Sequence, residues 1–209
     1  MAHIGSTEFV PSRPKANPAP LGLVAFGLTT ILLNLHNAGF LPMGSAILAM
    51  GLVFGGLAQI LAGMLEFGTG NTFGLTAFIS YGAFWISLVV LIAMPSTGIV
   101  AASTPAMVGS YLLLWGLFTL IMFFGTLRAT RAHQVIFASL TVLFALLGLA
   151  DLMAIPSLAV IGGYEGLFCG LSAVYLAAAE ILEAQFGHEV LPVGRASPAP
   201  MTFAVPVAA

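Results

Sequence analysis

The chain has 209 residues, a net charge of −2, and 60% hydrophobic against 6% charged side chains, which excludes a water-soluble fold and gives no basic surface for a nucleic-acid partner. Mean hydropathy is +1.10, and no Asp, Glu, Lys or Arg occurs between Lys15 and Glu66 or between Glu66 and Arg128. A bilayer-crossing helix needs about 20 apolar residues, so these runs predict an all-α, multi-pass membrane protein.

Residues 1–16 contain Arg13 and Lys15 and lack the apolar stretch of a signal peptide, so they are expected to be a short segment before the first span. Span one is placed at 20–39. Its entry, "NPAPLGL" at 17–23, offers Asn17 as an N-cap with Pro18 at the first helical position, where a missing N–H costs nothing. The remaining spans are placed at 45–66, 73–94, 106–127, 133–153 and 164–186, with the transport domain covering 17–190. The breaks between them, "GFLPMGS", "GTGN", "MPSTG" and "STPA", are turn-forming. Short connections imply antiparallel neighbours, giving three hairpins around a central pathway. Barrel strands would alternate in polarity over about ten residues, and these runs do not. The tail, residues 191–209, is rich in Pro and Ala and is expected to be disordered.

Arg13, Lys15, Arg128, Arg131 and Arg195 all fall on one side of a six-span arrangement. The positive-inside rule then places both termini in the cytoplasm, in the cell's inner (plasma) membrane. Asp151 and Glu165 are expected on the outer side, and Glu66, Glu180 and Glu183 at the inner ends of spans.

A weak repeat runs through the spans. Odd spans carry "FGLTT", "FGLTA" and "ASLTV"; even spans carry Gly56-Leu57, Gly116-Leu117 and Gly170-Leu171. Three and ten residues after those glycines stand Gln59 and Glu66, Thr119 and Thr126, Ala173 and Glu180. A separation of seven puts each pair on one helical face, which the repeat turns inward.

Polar side chains inside a bilayer usually face a bundle interior or a water path. Phe26, Thr30, Asn34 and Asn37 make one stripe along span one, with His36 near its outer end. His133, Leu140 and Asp151 share a face of span five; Glu165, Ser172 and Glu183 share one of span six; Thr76, Ser80 and Ser87 lie along span three. Outer groups Asn34 and Asn37 and inner groups Gln59, Glu66 and Asn71 are candidate substrate contacts. The bland reading of each is a hydroxyl or amide bonded to a neighbouring helix. With the middle of the membrane read as uncharged, an arginine-lined pore and a buried carboxylate relay are excluded. A short carboxylic acid or a neutral amide such as urea remains compatible.

An intramembrane serine protease would need Ser172 and His36 within bonding reach, and their depths disagree. The four histidines and the lone Cys169 show no metal-ligand spacing, and no cofactor is expected.

"NPAPLGL" at 17–23, "NTFGLTAFISYGAFW" at 71–85 and "FFGTLRATR" at 123–131, in that order, resemble the acetate uptake transporter family, the succinate–acetate permeases. The similarity covers about residues 16–194, including "LPVG" after the last span. It implies a six-helix protomer, a homohexamer with one pathway per protomer, and acetate as main substrate with succinate behind it. It further implies a hydrophobic waist at Phe26, Tyr81 and Leu140, and a role for Ala173 in substrate size. The neutral-amide channel is the alternative on the same architecture.

Overall fold

The computed structural model describes residues 16–195, and within them it contains helices and no strand. Six helices are long and apolar enough to cross a membrane: α1 (Ala19–Asn37), α2 (Ser45–Phe67), α3 (Thr72–Ala93), α4 (Pro105–Gly125), α5 (Arg131–Met153) and α6 (Pro156–Phe186). Of the expected terminal segments, residues 1–15 and 196–209 lie outside the described residues, while 191–195, expected to be disordered, pack back on the bundle: the Gly194 and Val193 carbonyls accept from the Arg131 and Ala132 N–H groups at 3.1 Å. Consecutive helices run antiparallel, so α1, α3 and α5 start at one end of the bundle, here the terminal end, and finish at the far end.

The largest departure from the sequence reading is α6, which begins at Pro156 and not near residue 164. Proline at the first helical turn lacks only a donor that has no partner there. The glycines that follow read as breakers but serve close approach: a Cβ on Gly163 would meet the Ala38 backbone, and one on Gly166 would meet the Asn34 amide. Glu165, expected at the outer end of the last span, therefore stands more than two turns inside the helix. Its Oε1 accepts a hydrogen bond from the Ser139 hydroxyl at 2.7 Å, part-buried in the α5–α6 seam, so the expectation of a charge-free middle is corrected. The start of α1 also differs by one residue. Pro18 occupies the cap position, while the Asn17 Oδ1 accepts from the Ala19 N–H at 3.0 Å and its amide reaches Glu180 Oε2 at 2.9 Å.

The helices close into a ring, α6 packing broadly on α1. Three seams are tight because glycines let backbones touch, the usual device where lipid supplies no hydrophobic drive. A Cβ on Gly27 would lie 2.8 Å from the Gly170 carbonyl, one on Gly82 2.8 Å from the Gly56 carbonyl, and one on Gly109 2.6 Å from the Gly148 carbonyl. The α3–α4 seam is of another kind. There the backbones stay apart and rings fill the gap: Phe84 stacks on Tyr111 at 5.9 Å, meets Trp115 edge-on at 5.3 Å, and Tyr81 meets Phe118 at 5.5 Å.

Residues Gly51–Ala58 of α2 are wound as a π-helix, a wider turn often found at functional positions. The α-helical winding that resumes at Gln59 carries Gln59 and Glu66 on one inward face, 1% and 2% exposed. Of the matching positions, Thr119 on α4, Thr126 just past its end and Ala173 on α6 are fully buried, while Glu180 is half-buried.

Candidate functional site

Two cavities lie along the axis of the ring. The terminal-side cavity, about 50 Å³, is walled largely by apolar residues such as Leu23 and Phe78, with Gln59, Asn71 and His133 as polar members. The far-side cavity, about 230 Å³, is walled by leucines and aromatic rings and holds Thr30, Asn34, Asn37 and Asp151. Phe26 and Leu140 are the two residues common to both. Tyr81 lines the terminal side and packs on Phe26 with ring centroids 6.0 Å apart. Phe26, Tyr81 and Leu140 are all buried, at the junction of the two spaces.

Each wall residue is held by its neighbours. The Tyr81 hydroxyl donates to Thr119 Oγ1 at 3.0 Å, and Thr119 donates on to the Trp115 carbonyl at 2.7 Å. The ring is thereby fixed from α4, across the aromatic seam. Asn34 donates to the Thr30 carbonyl at 2.9 Å, and Asn37 donates to Asn34 Oδ1 at 3.0 Å. This amide chain leaves the Thr30 hydroxyl buried without a partner. Gln59 Oε1 is likewise buried and unpartnered, in a residue that lines the terminal-side cavity.

Asn71 and Glu66 act as a pair. Asn71 Oδ1 accepts from the Gly74 N–H at 2.9 Å and caps α3, while its amide donates to Glu66 Oε2 at 2.9 Å. Thr69 donates to the same carboxylate oxygen at 3.0 Å. Asn71 lines the cavity and Glu66, 2% exposed, stands behind it.

Not every candidate reaches the axis. Ala173 is fully buried but lines neither cavity, and the Ser172 hydroxyl bonds the Phe168 carbonyl of its own helix. His36 turns to the Leu41 carbonyl at 3.0 Å. Of the α3 candidates Tyr81 lines the axis; Thr76 and Ser87 are exposed, and Ser87 bonds Phe84 and Tyr111. Sequence reasoning placed His133 and Asp151 on the Leu140 face without assigning them to the site. That shared face was the signal that would have found them. Among the described residues no group of His, Cys, Asp and Glu is arranged to hold a metal ion.

Residues 4–195 match the GPR1/FUN34/yaaH family. The chain belongs to that family. It is 56% identical over 179 residues to the succinate-acetate/proton symporter SatP of Escherichia coli (strain K12), covering 86% of this chain and 95% of that one. It is 39% identical over 206 residues to acetate permease A of Emericella nidulans, covering 90% of this chain and 69% of that protein. The solved structure of the bacterial acetate channel SatP superposes with a TM-score of 0.86 at 55% identity, over 87% of this chain and all of that chain. GPR1/FUN34/yaaH membership and this superposition agree with the six-span, all-helical reading.

Proposed function

We propose that the chain is a membrane permease or channel for acetate and related short carboxylates, succinate second, with Phe26, Tyr81 and Leu140 as the constriction. The observation that carries this reading is two axial cavities that share only Phe26 and Leu140, in a chain 56% identical to a protein named for succinate-acetate/proton symport. The relatives named above are transporters or channels, which supports a non-enzymatic role.

The physical case rests on desolvation. A carboxylate entering an apolar junction loses its water and finds there one phenol and aliphatic or aromatic carbon, so the protonated acid crosses more cheaply than the anion. Coupling to protons then follows from the substrate's own protonation. Thr30, Asn34 and Asn37 on the far side, and Gln59 and Asn71 on the terminal side, supply hydrogen bonds where the solute sheds and regains water; Glu66 positions Asn71, and Ala173 sets the packing behind the wall. Both termini are assigned to the cytoplasm from the arginine distribution, and the protein works as a homohexamer with one pathway per protomer.

Purified protein in liposomes tests the proposal. Labelled acetate should enter faster than into empty vesicles, and faster as external pH falls toward the carboxylic-acid range of about 4–5. Absence of acetate flux at both acidic and neutral pH sinks it. Urea flux that acetate does not inhibit would replace it with the neutral-amide channel.

A further inference from the structure

His133, Leu140 and Asp151 occupy one face of α5, and the structure gives each a different station on the axis. His133 lines the terminal-side cavity, Leu140 the junction and Asp151 the far-side cavity. Asp151 is the one acidic side chain lining either space. It lies two residues before the end of α5, at the far-end mouth opposite Asn37 and Met43 of α1 and its following loop.

Nothing neutralises it there. Among the described residues the Asp151 carboxylate has no hydrogen-bond or ion-pair partner, and the lining of its cavity contains no Lys, Arg or His. The described arginines, Arg128, Arg131 and Arg195, all lie at the terminal end, Arg195 paired with Glu183 and Glu189. The other ionisable groups toward the far end are His36, engaged with the Leu41 carbonyl, and Glu165, bonded to Ser139. A carboxylate solute approaching this mouth therefore meets a fixed negative charge, in a low-dielectric wall that keeps field lines concentrated.

We propose that Asp151 is a charge filter that makes the far mouth favour monocarboxylates over dicarboxylates. The proposal rests on the carboxylate-transport reading above and deepens it by assigning a specificity-determining residue. Repulsion scales with the solute's charge, so a dianion of succinate is excluded about twice as strongly, in free energy, as a monoanion of acetate. The amides of Asn34 and Asn37 offer donors to either solute and do not discriminate by charge. The filter acts on capture, before the solute sheds water at the junction.

The experiment measures initial rates of labelled acetate and succinate uptake by the full chain in proteoliposomes at about pH 7.5, where acetate is a monoanion and succinate mainly a dianion. Asp151→Asn should raise the succinate-to-acetate ratio about fivefold at low salt, through a lower KM for succinate with little change in maximal rate. Asp151→Glu should keep the wild-type ratio. In the wild type, raising ionic strength from about 10 to about 200 mM should raise the ratio severalfold by screening, a test that depends on no variant. An unchanged ratio in Asp151→Asn, an equal rise in Asp151→Glu, or a salt-insensitive wild-type ratio each overturns the proposal. Failure of the wild type to carry acetate at all would instead overturn the transport reading.

Discussion

The two cavities solve different problems with different chemistry. On the terminal side the space is small and its polar walls are cross-braced: Glu66 holds Asn71, Asn71 caps α3, and Thr119 holds Tyr81. On the far side the space is larger, its walls are mainly leucines and aromatic rings, and its one charged lining residue is unbraced. A site that must fix the orientation of a phenol ring at a constriction needs hydrogen bonds from a second layer, whereas a mouth that sorts solutes by charge needs only a field. Under the proposals above, selectivity by size belongs at the junction and its terminal side, and selectivity by charge at the far mouth.

The most drastic way to break the contrast is to remove the frame both cavities share. Gly27→Leu or Gly170→Leu would drive a side chain into the facing carbonyl of the α1–α6 seam, where even a Cβ has no room. Overpacking of this kind costs typically 1–3 kcal/mol and more where backbone must move, so monodisperse protein should be lost on size-exclusion chromatography. Gly44→Leu is the control, since a Cβ there meets nothing within 4 Å. Normal yield from both seam variants would show that the crossing is not tight.

Leu140→Ala comes next, because Leu140 belongs to both cavities. Truncating a buried leucine costs about 2–5 kcal/mol and leaves a cavity. Here that cavity joins the two spaces, so hydroxylated or branched carboxylates should gain on acetate by about tenfold, equivalent to 1.4 kcal/mol. Competition uptake assays read the gain. Ala173→Gly, away from either lining, should move selectivity less.

How much of this was legible follows from which physical signal each feature sends. Helix number and the inward face of α2 send strong ones: uncharged runs, and Gln59 and Glu66 seven residues apart. The α5 face was equally readable, since offsets of seven and eleven return to one side of a helix. The α3 stripe misled because Thr76 and Ser87 obey helical spacing while exposed; a hydroxyl that, like that of Ser87, bonds its own backbone carries no directional information. The early start of α6 was hidden because glycine signals a break in isolation and a close contact in context. Which spans meet through glycine and which through rings, as at the α3–α4 seam, depends on partners distant in sequence and leaves no local trace.

Smaller effects sharpen the terminal side. Glu66→Gln keeps an acceptor for Thr69 and Asn71, and should change thermal stability by less than about 1 kcal/mol. Glu66→Leu removes it and strands the Asn71 amide beside the cavity, at a cost of about 1–3 kcal/mol. Equal melting temperatures for the two variants would mean the carboxylate does not hold Asn71.

Tyr81→Phe should have a similarly small effect on stability and separates the two duties of this residue. The substitution deletes one hydroxyl and leaves the ring, which still packs on Phe26, Phe118 and Phe137 at centroid distances of 6.0, 5.5 and 6.1 Å. Thr119 keeps its own bond to the Trp115 carbonyl, so no buried donor is stranded. The expected loss is that of one ordinary hydrogen bond, about 0.5–1.5 kcal/mol in stability, with the ratio of acetate to larger carboxylates unchanged. If that ratio shifts as far as in Leu140→Ala, the hydroxyl and not the ring sets the size of the junction. The bracing from Thr119 would then be part of the selectivity element itself, and the division between a size-sorting junction and a merely supporting second layer would fail at this residue.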